Sequence, residues 1–293
     1  MVKPLRNSQV CSLILTILMC LTSIVAPAES SDVPFHYQPL TERLSSDGFD
    51  PEFLSQLLND ARAELIPSLM TISLQSRETG GLYAQFFSPE SILLSKNFLL
   101  QNLKILRKME KQFHVDKEVV VAILLVESRF GENIGKYRVI PTLASMALMD
   151  SPANLQQNYQ SLRDSDPELS FERIEGIAKR RAQWAYQELK CFFRIIRHEN
   201  IDPLEVTGSY AGALGMAQFI PSSYLTYAQS KKGLGNWLHN KEEAIFSIAN
   251  YLKSHGWRKN LSFAKKKRVI WCYNHSEPYV ETILQVAQKI KQK

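Results

Sequence analysis

The chain is poor in the residues that build metal and redox centres. Its 293 residues include four cysteines and six histidines. Cys11 and Cys20 fall in an apolar N-terminal run, so only Cys191 and Cys272 stand beyond it. No CxxC occurs and the histidines are scattered, a pattern that excludes the usual zinc and thiol redox sites. No cofactor is called for. Alternating apolar and polar segments are nearly absent, which excludes a β-sandwich or barrel and leaves a mainly α fold. No repeat or low-complexity tract is visible. Charge of one sign is not dominant either: 35 basic against 29 acidic residues give +6. That excess is too modest for a nucleic-acid binder.

Only one long hydrophobic run is present. Lys3 and Arg6 precede Val10–Val25, and Ala26-Pro27-Ala28 follows with small residues before the polar Glu29-Ser30-Ser31-Asp32. This pattern is expected to be a secretory signal, residues 1–28, cleaved after Ala28. The run is short for a bilayer span. Cys20 follows Met19 rather than a small residue, so lipidation is not expected. An exported chain meets an oxidising compartment, where Cys191 and Cys272 could pair; sequence leaves their proximity open. Loss of Lys3 and Arg6 leaves 33 basic against 29 acidic residues, or +4. The basic clusters Lys179-Arg180-Arg181, Lys231-Lys232 and Lys265-Lys266-Lys267-Arg268 read either as solvated faces or as attraction to an acidic cell-wall polymer.

Residues 29–50 carry several Pro and Ser and are expected to enter as an extended segment. Asp50-Pro51 reads as an N-cap and first helical position, followed by Phe53, Leu54, Leu57, Leu58, Ala61 and Leu65 at helical spacing up to Pro67. Ser88-Pro89 starts a second helix, with apolar positions to Met109. Further helices are expected over 143–148, 171–197, 241–254 and 278–291, and Val269–Tyr273 reads as a strand or the start of a helix. Residues 51–115 form an N-terminal helical part and 116–293 the core.

From Asp116 another helix carries Val119 to Val126, an unbroken apolar run, and then Glu127-Ser128-Arg129-Phe130-Gly131. A carboxyl held against an apolar wall resists ionisation and can serve as a general acid. The competing reading pairs Glu127 with the adjacent Arg129. Two other segments carry chemistry. One is Gly208-Ser209-Tyr210-Ala211-Gly212-Ala213-Leu214-Gly215-Met216-Ala217-Gln218-Phe219-Ile220-Pro221; the other is Tyr273-Asn274-His275-Ser276, with Tyr279 behind. Clustered glycines permit close backbone approach. Amide and phenol groups suit sugar hydroxyls and N-acetyl groups.

These three segments, with Ala249-Asn250-Tyr251-Leu252-Lys253-Ser254-His255-Gly256-Trp257, resemble the lytic murein transglycosylase B family, exported enzymes that cut peptidoglycan glycan strands. The resemblance runs from about Gly48 to the last helix. It implies a lysozyme-like helical catalytic domain with a substrate cleft and an N-terminal helical extension, located in the periplasm and associated with the cell envelope. It implies Glu127 as sole catalytic carboxylate, and Ser209, Gln218, Tyr251, Tyr273, Asn274 and Tyr279 as substrate-binding residues. Tyr83 corresponds to an upstream cleft tyrosine. For each tyrosine the bland alternative is core packing, which removes Tyr224 from the set; for Ser209 it is a helix N-cap.

The family's usual threonine after the glutamate is Ser128 here, which keeps the hydroxyl. Some members carry a calcium loop where this chain has Ala228–Trp237; that stretch holds no acid and two lysines, so calcium is not expected. The implied reaction cleaves the MurNAc–GlcNAc β-1,4 bond and leaves a 1,6-anhydromuramic end. The implied partners are peptidoglycan glycan strands, with other cell-wall enzymes as candidates and a monomer as the acting species. The alternatives are a hydrolytic muramidase of the same fold and a non-catalytic wall-binding scaffold.

Overall fold

The computed structural model describes residues 33–75, 80–164 and 166–292. The expected signal peptide lies outside them. Among the described residues there are fourteen α-helices: α1 Gln38–Ser46, α2 Pro51–Leu58, α3 Pro67–Gln75, α4 Pro89–Gln101, α5 Leu103–Phe113, α6 Lys117–Ser128 and α7 Val139–Ala147, then α8 Pro152–Arg163, α9 Phe171–Ile196, α10 Pro221–Tyr227, α11 Leu234–Trp237, α12 Lys241–Ser254, α13 Phe263–Tyr273 and α14 Glu277–Lys291. A 3-10 segment, Gly80–Phe87, precedes α4. The one sheet among the described residues has two two-residue strands, β1 Tyr137–Arg138 and β2 Thr207–Gly208. Val33–Lys293 forms one compact unit, so the parts on either side of residue 115 share a body.

Helix α6 is the axle. Val119 through Leu125 are all buried, and α4, α5, α12 and α14 pack around it. Three successive valines are mediocre helix formers. Burial on every side overrides that preference, since each buried branched side chain gains on the order of 1.5–3 kcal/mol. The long α9 forms a second spine, packed against α7, α8 and α10.

Local chemistry sets most boundaries. Asp50 caps α2 by accepting from the Glu52 amide, Ser170 caps α9 through Arg173, and Asn240 caps α12 through Glu243. Proline opens α2, α3, α4, α8 and α10, where its missing N–H has no partner to lose.

The structure corrects several expectations. The segment expected to be extended holds α1 within 38–46, because Tyr37, Leu40 and Leu44 bury one face and Pro39 is tolerated in its first turn. The helix expected to run to Leu65 stops at Leu58; Pro67 then opens α3. The helix expected from Ser88 to Met109 is two helices, broken at buried Asn102, whose side-chain amide donates to the Phe98 carbonyl at 2.8 Å. Val269–Tyr273 is the end of α13 rather than a strand. Helix α8 was not anticipated.

The β1–β2 ladder pairs Tyr137 with Gly208 and Arg138 with Thr207, bringing the exit of α6 to the glycine-rich segment. Two glycines make this approach feasible. Gly135, at φ +99°, has the Gly208 carbonyl group where a Cβ would sit, 2.0 Å away; at Gly208 a Cβ would meet the Ala213 oxygen at 2.4 Å. Loop 228–233 is pinned by side chains. The Ser247 hydroxyl accepts from the Gln229 amide at 2.8 Å and Glu243 from the Lys231 amide at 3.2 Å, while Ser230 donates to the Gly233 carbonyl.

A paired substitution tests the close approach. Gly48 also has positive φ but open space around its Cβ position. Gly48→Ala is expected to lose about 1 kcal/mol of stability, the left-handed penalty alone. Gly135→Ala carries that penalty plus a backbone collision and is expected to lose more than about 3 kcal/mol. Equal melting-temperature losses would contradict this account.

Candidate active site

Glu127 lies in the last turn of α6 and is partly buried. The helix stops there because the chain turns left-handed: Arg129 has φ +49°, Phe130 +61° and Gly131 +95°. Two consecutive non-glycine residues in that region are strained. Phe130 is held by stacking on Phe98, with centroids 4.2 Å apart and planes at 14°. Arg129 pairs with Glu132 at 2.8 Å.

Ser128, fully enclosed, locks this turn to the glycine-rich segment. Its hydroxyl donates to the Met216 carbonyl at 2.7 Å and accepts from the Gly131 amide at 3.0 Å. Gly131 in turn faces the Met216 side chain, 3.1 Å from a Cβ built there. Gln218, a third non-glycine residue at positive φ (+48°), braces the other side. Its amide nitrogen donates to the Ile134 carbonyl at 3.1 Å and to the Gly215 carbonyl at 2.9 Å. The segment is clamped from beneath as well: buried Glu188 of α9 accepts from the Ser222 amide at 2.9 Å and its hydroxyl at 2.8 Å.

Helix α14 delivers the partner of the carboxylate. Ser276 caps the helix by accepting from the Tyr279 amide, which fixes the start of the ring's trajectory. The buried Tyr279 hydroxyl then donates to Glu127 Oε1 at 2.5 Å. Tyr273 lies parallel to Tyr279, with centroids 6.4 Å apart and planes at 10°. Its hydroxyl donates to the Ala217 carbonyl at 2.6 Å, next to Gln218. Tyr83 stands edge-on to Tyr279 at 6.2 Å. Burial, then the charge of Glu127, push both the Tyr279 and Tyr273 phenols well above their ordinary range. Both remain neutral donors at any physiological pH.

The sequence-derived residues therefore divide. Glu127, Tyr279, Tyr273 and Tyr83 form one connected cluster. Gln218 joins it through the backbone at Ala217. Asn274 is partly buried at the C-terminal end of α13, directly after Tyr273. Ser209 is partly buried and holds a loop rather than capping a helix: its hydroxyl accepts from the Ala211 and Ala213 amides at 3.2 and 3.1 Å. Tyr251 joins the cluster edge-on to Tyr273 at 4.9 Å; its hydroxyl donates to the Cys272 carbonyl and its ring stacks on His255. Tyr224 is buried edge-on against Trp237. Cys191 and Cys272 are both free thiols.

Sequence reasoning missed the Ser128–Met216 link, the Phe98–Phe130 stack and the Glu188 clamp. The link and the clamp join residues 88 and 34 positions apart. The retained hydroxyl after the glutamate was the only signal for any of them. The ambiguity over Arg129 is also resolved, since Arg129 turns to Glu132.

Residues 34–269 match the transglycosylase SLT domain family. Membrane-bound lytic murein transglycosylase B of Escherichia coli (strain K12) is 30% identical over 238 residues, covering 77% of this chain and 58% of that protein. The chain thus spans little more than half the length of this relative. The crystal structure of soluble lytic transglycosylase SltB1 from Pseudomonas aeruginosa superposes with a TM-score of 0.68 at 25% identity, over 88% of this chain and 98% of that one. SltB3 from the same organism, solved in complex with NAG-NAM-pentapeptide, shares the fold with a TM-score of 0.65 at 20% identity, over 88% and 79% of the two chains. The architecture is accordingly the lysozyme-like one of these lytic transglycosylases. With a family match from the first described helix to the middle of α13, the chain belongs to the transglycosylase SLT domain family.

Proposed function

We propose that this protein is an exported peptidoglycan lytic transglycosylase that cleaves the MurNAc–GlcNAc β-1,4 bond and closes a 1,6-anhydro ring on the muramic residue. The observation that carries the reading is the Tyr279–Glu127 hydrogen bond within a buried aromatic cluster at the end of a buried helix. The names of the relatives point to murein, and a related fold was captured with NAG-NAM-pentapeptide.

Glu127 begins protonated and donates to the glycosidic oxygen, so the GlcNAc hydroxyl leaves as a neutral group. Positive charge develops at muramic C1. The ionised Glu127 then removes the proton from the C6 hydroxyl of the same sugar, whose oxygen bonds to C1. One proton leaves the carboxyl and one returns, and no water is consumed. The attacking oxygen belongs to the substrate, so its effective concentration is high without a positioned water. One carboxyl suffices, where most glycoside hydrolases use two.

Partial burial favours the protonated acid, whereas the Tyr279 hydroxyl favours the carboxylate that forms midway. These opposed influences suit a group that must give and retake a proton. Gln218, Ser209 and Asn274 are assigned to the sugar and N-acetyl groups, with Tyr273 and Tyr83 as walls. Tyr251 acts by supporting Tyr273 and the α13 carboxy end. The export signal expected from residues 1–28 supports action in the periplasm, on glycan strands, with other cell-wall enzymes as candidate partners.

Glu127→Gln is expected to lower cleavage of purified sacculi by about a thousandfold or more while sacculus binding persists. Wild-type products are expected one water lighter than hydrolysed muropeptides by mass spectrometry; hydrolysed ends would instead establish a muramidase, and an inert wild-type protein a scaffold. Tyr279→Phe removes a donor to the ionised carboxyl. The basic limb of the pH–rate profile, where the acid loses its proton, is then expected to move up, with a tenfold or greater fall in rate. An unmoved limb would remove Tyr279 from the proton-transfer apparatus.

A further inference from the structure

Helix α5 has two faces of opposite character. Leu106, Met109 and Phe113 are buried in the core, and the outward face carries Lys104, Arg107, Lys108 and Lys111, all exposed, at successive i+3 and i+4 spacings. Like charges at those spacings repel along a helix. Lys108 pairs with Glu242 at 3.6 Å; among the described residues Lys104, Arg107 and Lys111 have no ion-pair partner.

The flanks add charge of the same sign. A cavity of about 500 Å³ brings Lys259 and His114 to Arg107 and Lys111. A second, of about 420 Å³, brings Lys231 and Lys232 to Lys108. The carboxylates lining both cavities are already engaged: Glu110 by Lys117, Asp116 by Lys266, Glu242 by Lys108, and Glu243 by the Lys231 amide. Lys104, Arg107, Lys111, Lys231, Lys232 and Lys259 thus stand against one lining carboxylate without a cationic partner, Glu243, and the face is positive on balance.

Large apolar side chains border it. Leu93 and Leu100 on α4, the helix that leads into α5 at Asn102, are 59% and 66% exposed. Phe263 is 64% exposed in a groove with Lys266 and Lys291, and that groove shares Asp116 with the Lys259 cavity.

We propose that the outer face of α5, flanked by Lys231, Lys232 and Lys259, docks the protein on an anionic phospholipid bilayer. Clustered cations are drawn to anionic headgroups within a Debye length. Leu93, Leu100 and Phe263 are suited to the headgroup boundary, where apolar side chains beside cations insert. A hydrated acidic polymer would satisfy the lysines and leave those side chains in water, so the bilayer is the better occupant. The inference does not rest on the proposed reaction, and its test reads binding alone.

The experiment is sedimentation of the purified chain with phosphatidylcholine vesicles, with and without phosphatidylglycerol. Partition is expected only with phosphatidylglycerol, and is expected to fall steeply with added salt. Lys104→Glu, Arg107→Glu and Lys111→Glu together are expected to weaken it on the order of a hundredfold or more. Arg163→Glu, Arg194→Glu and Arg197→Glu together match the change in net charge away from α5 and are expected to leave most of the binding. Leu100→Ser, which leaves the charge untouched, is expected to weaken partition severalfold. Unchanged circular dichroism and melting temperature certify each variant's fold. Equal partition to neutral vesicles, equal losses in the two triple variants, or a loss confined to sacculus binding in the α5 variant would each overturn the proposal.

Discussion

Everything at the site depends on one contact: a buried phenol donating to a carboxylate at the exit of a buried helix. The acid comes from α6 and the phenol from α14, 152 residues later. A hydrogen bond of this kind discriminates between protonation states only if neither partner can move away. Much of the surrounding structure serves that immobility. The apolar residues of α6 leave it no direction in which to shift, and the Ser276 cap sets where the first turn of α14 begins. Tyr273 and Tyr83 close the sides of the ring.

The second requirement is a rigid loop opposite the acid. The 208–220 segment has little regular structure, and a loop of that kind would ordinarily be mobile. Here it is tied at several points, by Ser128 to the end of α6, by Gln218 to the 131–135 turn and by Tyr273 to α13, and Glu188 of α9 holds Ser222 just beyond it. The strain of three left-handed non-glycine residues at 129, 130 and 218 is sustained by these ties. Polar groups of the same segment thus do two jobs. Gln218 uses its amide nitrogen on the backbone, and Ser209 uses its acceptor capacity on its own turn, so the surface offered to a ligand is pre-set rather than formed on binding.

The charge distribution separates chemistry from location. The site is built from neutral phenols and amides around one acid, while unpaired positive charge collects on α5 and its flanks.

Composition and spacing determined the class of fold and drew notice to Glu127, whose assignment as the acid rests on the family resemblance. The absence of strand periodicity left helices, and helix starts marked by Asp50-Pro51, Ser88-Pro89 and Asp116 stand where they were read. These features are local: a cap, a missing N–H, an apolar stripe within a few residues. The unbroken run ending in Glu127 also advertised an acid against an apolar wall. The tertiary structure alone decided what each polar group does. Ser209 could have been a helix cap and holds a loop; Tyr251 packs on Tyr273 and donates to the Cys272 carbonyl; Arg129 could have neutralised Glu127 and turns to Glu132. Helix α1 and the break at Asn102 were likewise hidden, because burial of Leu40 and Leu44 and the satisfaction of one buried amide outweigh local preference. A hydroxyl or amide has several partners within reach of its own backbone, and only the packing of distant segments selects among them.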